Sequence, residues 1–142
     1  IIVPCDWYET YKATLAVYDM TGPSYVRFGR NPAPVVTTEK TPFVIGKAAV
    51  FRAGSDVTIF ANGIMVYQAL QAADMLQQEG ISAEILNVHT VKPLDIQAIV
   101  ASAAKTKAVV VCEEHQCIGG LGSAVCEVLA QHCCVPVELV GI

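Results

Sequence analysis

Ala108-Val109-Val110-Val111-Cys112-Glu113-Glu114-His115, followed closely by Gly119-Gly120-Leu121-Gly122-Ser123-Ala124-Val125, reads as a strand, a glycine-rich turn and the start of a helix. Ala108 to Cys112 shows no alternation of wet and dry faces. A strand of that kind is covered on both sides, as strands of a parallel sheet are when helices pack over them. The helix is expected from about Ser123 to Gln131, and Val135 to Val140 then makes a last strand. Strand, helix and strand in succession form a right-handed βαβ unit.

The same rhythm continues upstream. Phe43 to Phe51 and Asp56 to Ala61 are β-prone, with Arg52-Ala53-Gly54-Ser55 between them as a turn. A helix is predicted from about Ile64 to Glu79, with Met65, Ala69, Ala72 and Leu76 on one stripe and Gly80 as its stop. Ala83 to Val88 is a strand, and Asp95 is the expected N-cap of a short helix through Ala104. These elements predict an α/β fold for residues 43–142: a mainly parallel sheet of about five strands with helices on both faces.

Residues 1–30 predict a piece of a second α/β domain. Ile1-Ile2-Val3 looks like the end of a buried strand, and Asp6 with Glu9 fits a capping box. Tyr8, Tyr11, Leu15 and Tyr18 follow at helical spacing until Gly22-Pro23 stops the helix, and Ser24 to Phe28 reads as a second strand. Residues 31–42, NPAPVVTTEKTP, hold three prolines and predict a linker.

The 142 residues are 54% hydrophobic and 15% charged, with a net charge of −4, a composition that excludes a disordered chain. Thirteen acids against nine bases argue against a nucleic-acid partner held by a basic face. No run of 18 apolar residues is present, so no membrane partner is expected either. The mean hydropathy of +0.48 suggests a chain covered on several sides by partner surfaces. Most of the six cysteines lie in apolar runs, which predicts reduced thiols and a cytoplasmic location. The chain opens directly on a strand-like run with neither an initiator Met nor a signal peptide, and reads as a cut piece of something longer.

Three groups of residues stand out chemically. Arg27 and Arg30 stand at the C-terminal end of a strand, where open α/β sheets bind ligands, and a guanidinium there suits a phosphate or carboxylate. The competing reading is a solvated or ion-paired arginine. Glu113-Glu114-His115 stands before Gly119, Gly120, Gly122 and Ser123, so acid–base work or anion binding at a helix N-terminus is one reading. Close backbone packing explains the glycines equally well, and the dinucleotide fingerprint fails because Val125 stands in its third glycine position. Cys112, His115 and Cys117 lack a second pair of ligands, so no metal site is expected. His89 reads as a hydrogen-bonded loop residue rather than a catalyst.

Four blocks in this order resemble the C-terminal part of the transketolase family. They are Gly22-Pro23-Ser24-Tyr25-Val26-Arg27-Phe28-Gly29-Arg30; Gly46-Lys47-Ala48-Ala49-Val50 with Gly54 to Ile59; His89-Thr90-Val91-Lys92-Pro93-Leu94-Asp95; and Glu113-Glu114-His115 with Gly119 to Val125. The resemblance implies a thiamine diphosphate enzyme, with a divalent cation (Mg or Ca), that moves a two-carbon ketol unit between sugar phosphates. It makes residues 1–30 the end of the pyrimidine-binding domain and residues 43–142 the C-terminal domain. It matches Arg30 to an arginine that grips the sugar's terminal phosphate, with Arg27 a secondary candidate, and it leaves no catalytic residue in this segment. The C-terminal domain would mostly support assembly, so a homodimer is expected, and Gly119, Gly120, Gly122, Ser123 and His115 form a candidate regulatory anion loop.

The diphosphate- and metal-binding motif of that family is absent from the sequence. The implied partners are therefore upstream domains or a partner subunit that carries the motif, and the segment alone is expected to be inactive and to hold no cofactor. Two relatives share the fold, 1-deoxy-xylulose-5-phosphate synthase and the beta subunit of 2-oxo acid dehydrogenases. His115 favours transketolase over the first, and Arg30 favours a phosphosugar over a plain oxo acid. A non-catalytic module that binds a partner subunit or a regulatory anion is the remaining alternative.

Overall fold

A computed structural model describes residues 1–142. Nine elements follow one another: α1 (Trp7–Tyr18), β1 (Ala49–Arg52), β2 (Val57–Ala61), α2 (Met65–Gln78), β3 (Ala83–Asn87), α3 (Ile96–Thr106), β4 (Val109–Cys112), α4 (Leu121–His132) and β5 (Val137–Val140). The strands form one sheet in the order β1-β3-β2-β4-β5. β3, β2, β4 and β5 run parallel, and β1 is an antiparallel edge paired with β3. The expected α/β architecture is therefore present, with the one reversal at the edge.

The chain leaves β2 through α2 to β3 on one side, then crosses by α3 to β4 on β2's other side. That change of direction places α2 on one face of the sheet and α3 with α4 on the other. Two cores result. Phe60, Leu86, Val88, Ile99, Val111, Leu121 and Val125 fill one face, while Ile59, Ile85, Val66, Ala69 and Ala73 fill the other. Alternate residues of β2 and β3 serve opposite cores, so these strands need apolar side chains on both sides.

Several boundaries differ from the sequence expectation. The first strand of the sheet covers only Ala49–Arg52, because the chain turns at Gly46, where φ is +81°. α4 starts two residues before Ser123, at Leu121, because Gly120 takes the cap position. Ile1–Val3 and Ser24–Phe28 form no extended strands. Ile2 instead makes one parallel bridge to Val26 and one antiparallel bridge to Thr90, which ties both segments to the end of β3.

The apolar stripe expected on α1 faces outward. Tyr11 is 56% exposed and Tyr18 87% exposed, while Glu9 and Ala13 are the residues that α1 buries. The cause is polar. Glu9 accepts hydrogen bonds from the Cys5 amide at 2.7 Å and from the side-chain amide of Asn87, on β3, at 2.8 Å. Its carboxylate thus turns the helix toward the sheet. The capping box also differs in detail, since Glu9 reaches Cys5, one residue before the cap Asp6.

Candidate functional site

In an open α/β sheet the natural cleft lies beyond the carboxyl ends of strands that flank a switch in strand order. Here those ends belong to β2 and β4, and a cleft of about 880 Å³ lies there. Ile64 after β2, Glu114 after β4, Pro4 to Trp7, and the segment from Arg27 to Ala33 line it. Arg27 and Arg30 are thus brought to the same cleft as part of the 113–115 cluster.

The two arginines differ in their commitments. Arg27 donates from Nη2 to the main-chain oxygen of Glu114, and the same nitrogen lies 3.8 Å from the Glu114 carboxylate. Arg30 is exposed, lines the cleft, and takes part in none of the chain's ion pairs. Its neighbour in the wall, Asp6, is fully occupied. Asp6 accepts from the amides of Glu9, Val36 and Thr37 and from the Thr37 hydroxyl. Burial pushes its pKa upward, but those donors outweigh burial and hold the carboxyl below its ordinary range. The segment carrying Arg30 is therefore fixed at both ends, by Glu114 before it and by Asp6 after it.

Glu113, Glu114 and His115 do not act as one group. Glu113 is buried, and its two oxygens accept the amides of Leu121 and Gly122 at 2.7 and 2.8 Å. A carboxylate at a helix N-terminus is favoured by the free N–H groups and the helix dipole. The protein's own acid thus occupies the place where an external anion would sit at α4. Gly120 has no room for a side chain, because a Cβ there would collide with the Glu113 carboxylate. Gly119 turns at φ +83°, with its amide donating to Ser123 Oγ at 2.8 Å. The Nδ1 of His115 lies 3.1 Å from the Gln116 carbonyl, and the His115 carbonyl accepts from Ile142.

Elsewhere the polar groups are internal. His89 is buried against the ring of Phe43 at 4.4 Å, with Nδ1 2.9 Å from the Thr90 hydroxyl. Burial lowers its pKa, partly opposed by the Glu9 carboxylate. The Cys112 thiol is pushed up to about 11 by burial, and the Cys5 thiol is raised further by burial and Glu9. Neither is a nucleophile near neutrality. No group of three or more His, Cys, Asp or Glu side chains that could hold a metal ion is present. No helix is long and apolar enough to cross a membrane.

Two residues of this neighbourhood were not singled out by sequence: Asn87, and Asp6 as more than a cap. An Asn following Ile85 and Leu86 at the end of a buried strand was the available signal for the first. For the second there was none, since Val36 and Thr37 lie far along the chain.

Comparison with known proteins fixes the family. The sequence model described as "Transketolase, C-terminal domain" matches residues 46–142. The chain belongs to that family. It is 53% identical over 139 residues to the 6-deoxy-6-sulfo-D-fructose transketolase subunit SqwH of Clostridium sp. (strain MSTE9), covering 98% of this chain and 43% of that protein. It is 41% identical over 143 residues to one subunit of the apulose-4-phosphate transketolase of Phocaeicola vulgatus, covering 100% of this chain and 46% of the relative. Among solved structures, one described as "Split gene transketolase, inactive beta4 tetramer" matches with a TM-score of 0.97 and 44% identity, over 99% of this chain and 47% of that one. The chain thus spans a little under half the length of each of these three relatives.

Proposed function

We propose that this chain is the C-terminal part of a thiamine diphosphate-dependent transketolase, and that its cleft holds the anionic end of the sugar. Arg30 carries the reading. It is a cleft-lining guanidinium without an internal partner, on a segment fixed at both ends, at the switch in strand order. A guanidinium so placed offers several N–H donors to a phosphate or sulfonate. The named activities of the relatives fit this, since one acts on a 6-sulfo ketose and another on a sugar 4-phosphate.

When bound, thiamine diphosphate supplies the electron sink that lets a ketose release a two-carbon unit. The residues of this chain do not fit the cation that accompanies the diphosphate, because no group of three or more His, Cys, Asp or Glu side chains that could hold a metal ion stands together. We assign that part of the site to the remaining length of the protein or to a partner subunit, and to this chain substrate binding and assembly in a homodimeric or two-subunit enzyme of the cytoplasm. Arg30 binds and orients the sugar, while Arg27, held by Glu114, and the fixed segment keep that guanidinium in place.

The test is reconstitution. The complete enzyme, together with any partner polypeptide, is expected to transfer a ketol unit from a ketose bearing a terminal anion to an aldose, and to lose that transfer when thiamine diphosphate is withheld. Condensation of pyruvate with glyceraldehyde 3-phosphate in place of ketol transfer would overturn the assignment in favour of the deoxyxylulose phosphate synthase reading.

A further inference from the structure

Between its two anchors, the segment that carries Arg30 has little to hold it. Residues 28–35 lie in no helix or strand, the main-chain hydrogen bonds of the loops do not involve them, and all but Ala33 are exposed. The upstream anchor is Arg27, whose amide donates to the Ile2 carbonyl at 2.9 Å and whose guanidinium is held by Glu114. The downstream anchor is the Asp6 carboxylate. Its Oδ2 accepts the amides of Val36 and Thr37 at 2.8 and 2.5 Å, while its Oδ1 accepts the Glu9 amide at 3.0 Å and the Thr37 hydroxyl at 2.7 Å. Asp6 and Thr37 are only 4% and 3% exposed, so water competes little for these bonds.

We infer that Asp6 is a positioning residue that acts through Arg30: one carboxylate oxygen caps α1, and the other fixes the far end of the segment whose guanidinium lines the cleft. The inference rests on the reading of Arg30 as the seat of the sugar's terminal anion. Pro32 and Pro34 carry the effect along the chain. Each locks its own φ and restricts the residue before it to extended backbone, so the stretch is a semi-rigid spacer rather than a slack loop. A displacement at Val36 is then passed on to Arg30 instead of being absorbed between them. A carboxylate is required because the two tasks use different oxygens, and an N-cap with a single oxygen performs only the first. In a well-oriented site a misplacement of about 1 Å costs up to about 100-fold, so a remote tether is enough to set how tightly Arg30 holds its ligand.

The experiment uses the complete enzyme loaded with thiamine diphosphate and two donors: fructose 6-phosphate, a ketose with a terminal anion, and erythrulose, a short ketose without one. Asp6→Ser keeps an N-cap, since Ser caps helices about as well as Asp, but it lacks the second oxygen. It is expected to raise KM for fructose 6-phosphate by about tenfold, with kcat and the KM for erythrulose little changed. Thr37→Val removes only the hydroxyl bond, should act in the same sense by less, and decides the matter if Asp6→Ser does not fold. Because Asp6 acts through Arg30, neither substitution should raise KM further once Arg30→Met is in place. Urea midpoints report the structural cost separately. Lowered midpoints with an unmoved KM, equal rises of KM for both donors, or effects that add to that of Arg30→Met overturn the inference. If Arg30→Met alone leaves KM for fructose 6-phosphate unchanged, the underlying assignment of Arg30 fails; if it raises that KM while Asp6→Ser and Thr37→Val do not, only the role of Asp6 fails.

Discussion

His89 shows how a single side chain ties stability to pH here. Its imidazole is buried beside Phe43 and hydrogen-bonded to Thr90, whose hydroxyl also accepts the Gly46 amide at 3.1 Å. Burial depresses its pKa, so the unfolded chain binds a proton at a pH where the folded chain does not. The contribution is fully present above the unfolded value of about 6.5 and is lost as pH falls from there through the folded value. The urea midpoint should therefore decline between pH 7.5 and 5.5, and His89→Gln should flatten that decline. A variant with the same slope as the wild type would show that another group carries it. Asp6 acts lower: its depressed pKa gives stability that is lost only as pH falls below the ordinary carboxylate range.

At the scale of elements, the end of β4 and the start of α4 form one unit joined by Glu113. Glu113→Ala would leave the Leu121 and Gly122 amides buried without acceptors, and is expected to cost about 2–3 kcal/mol in urea unfolding of the chain. Glu113→Gln, which keeps an acceptor oxygen, should cost less. Equal, near-zero costs for both would contradict the capping role.

How far the sequence foretold these elements depended on what positioned them. β2, β3, α3 and β4 were legible because their own apolar patterns and the Asp95 cap, which accepts the Ala98 amide, set their limits locally. The face of α1 was not, because a distant partner, Asn87, draws in Glu9 against the aromatic stripe. The two short segments around Ile2 and Val26 have strand-like sequences, yet only one residue of each pairs. The candidate site was half legible. The position of Arg30 after a Gly-Pro turn could be read directly. The division of labour between Glu113 and Glu114 could not, since it depends on where α4 and Arg27 lie in space.

Over the whole molecule, the sheet's switch in strand order gathers side chains from remote parts of the sequence around one cleft. Residues 4–7, 27–33, 64 and 114 all reach it. Family membership, together with the free guanidinium, makes this cleft the proposed place for the far end of the sugar, and the same proposal assigns the cofactor's diphosphate to a part of the enzyme outside this chain. The most direct test is the KM of the complete enzyme for a ketose donor bearing a terminal anion, measured for wild type and Arg30→Met beside a small donor with no such terminus. Loss of one charged, hydrogen-bonded contact should raise KM for the anionic donor by about 10- to 100-fold, with kcat and the small donor little affected. An unchanged KM for the anionic donor would contradict the account.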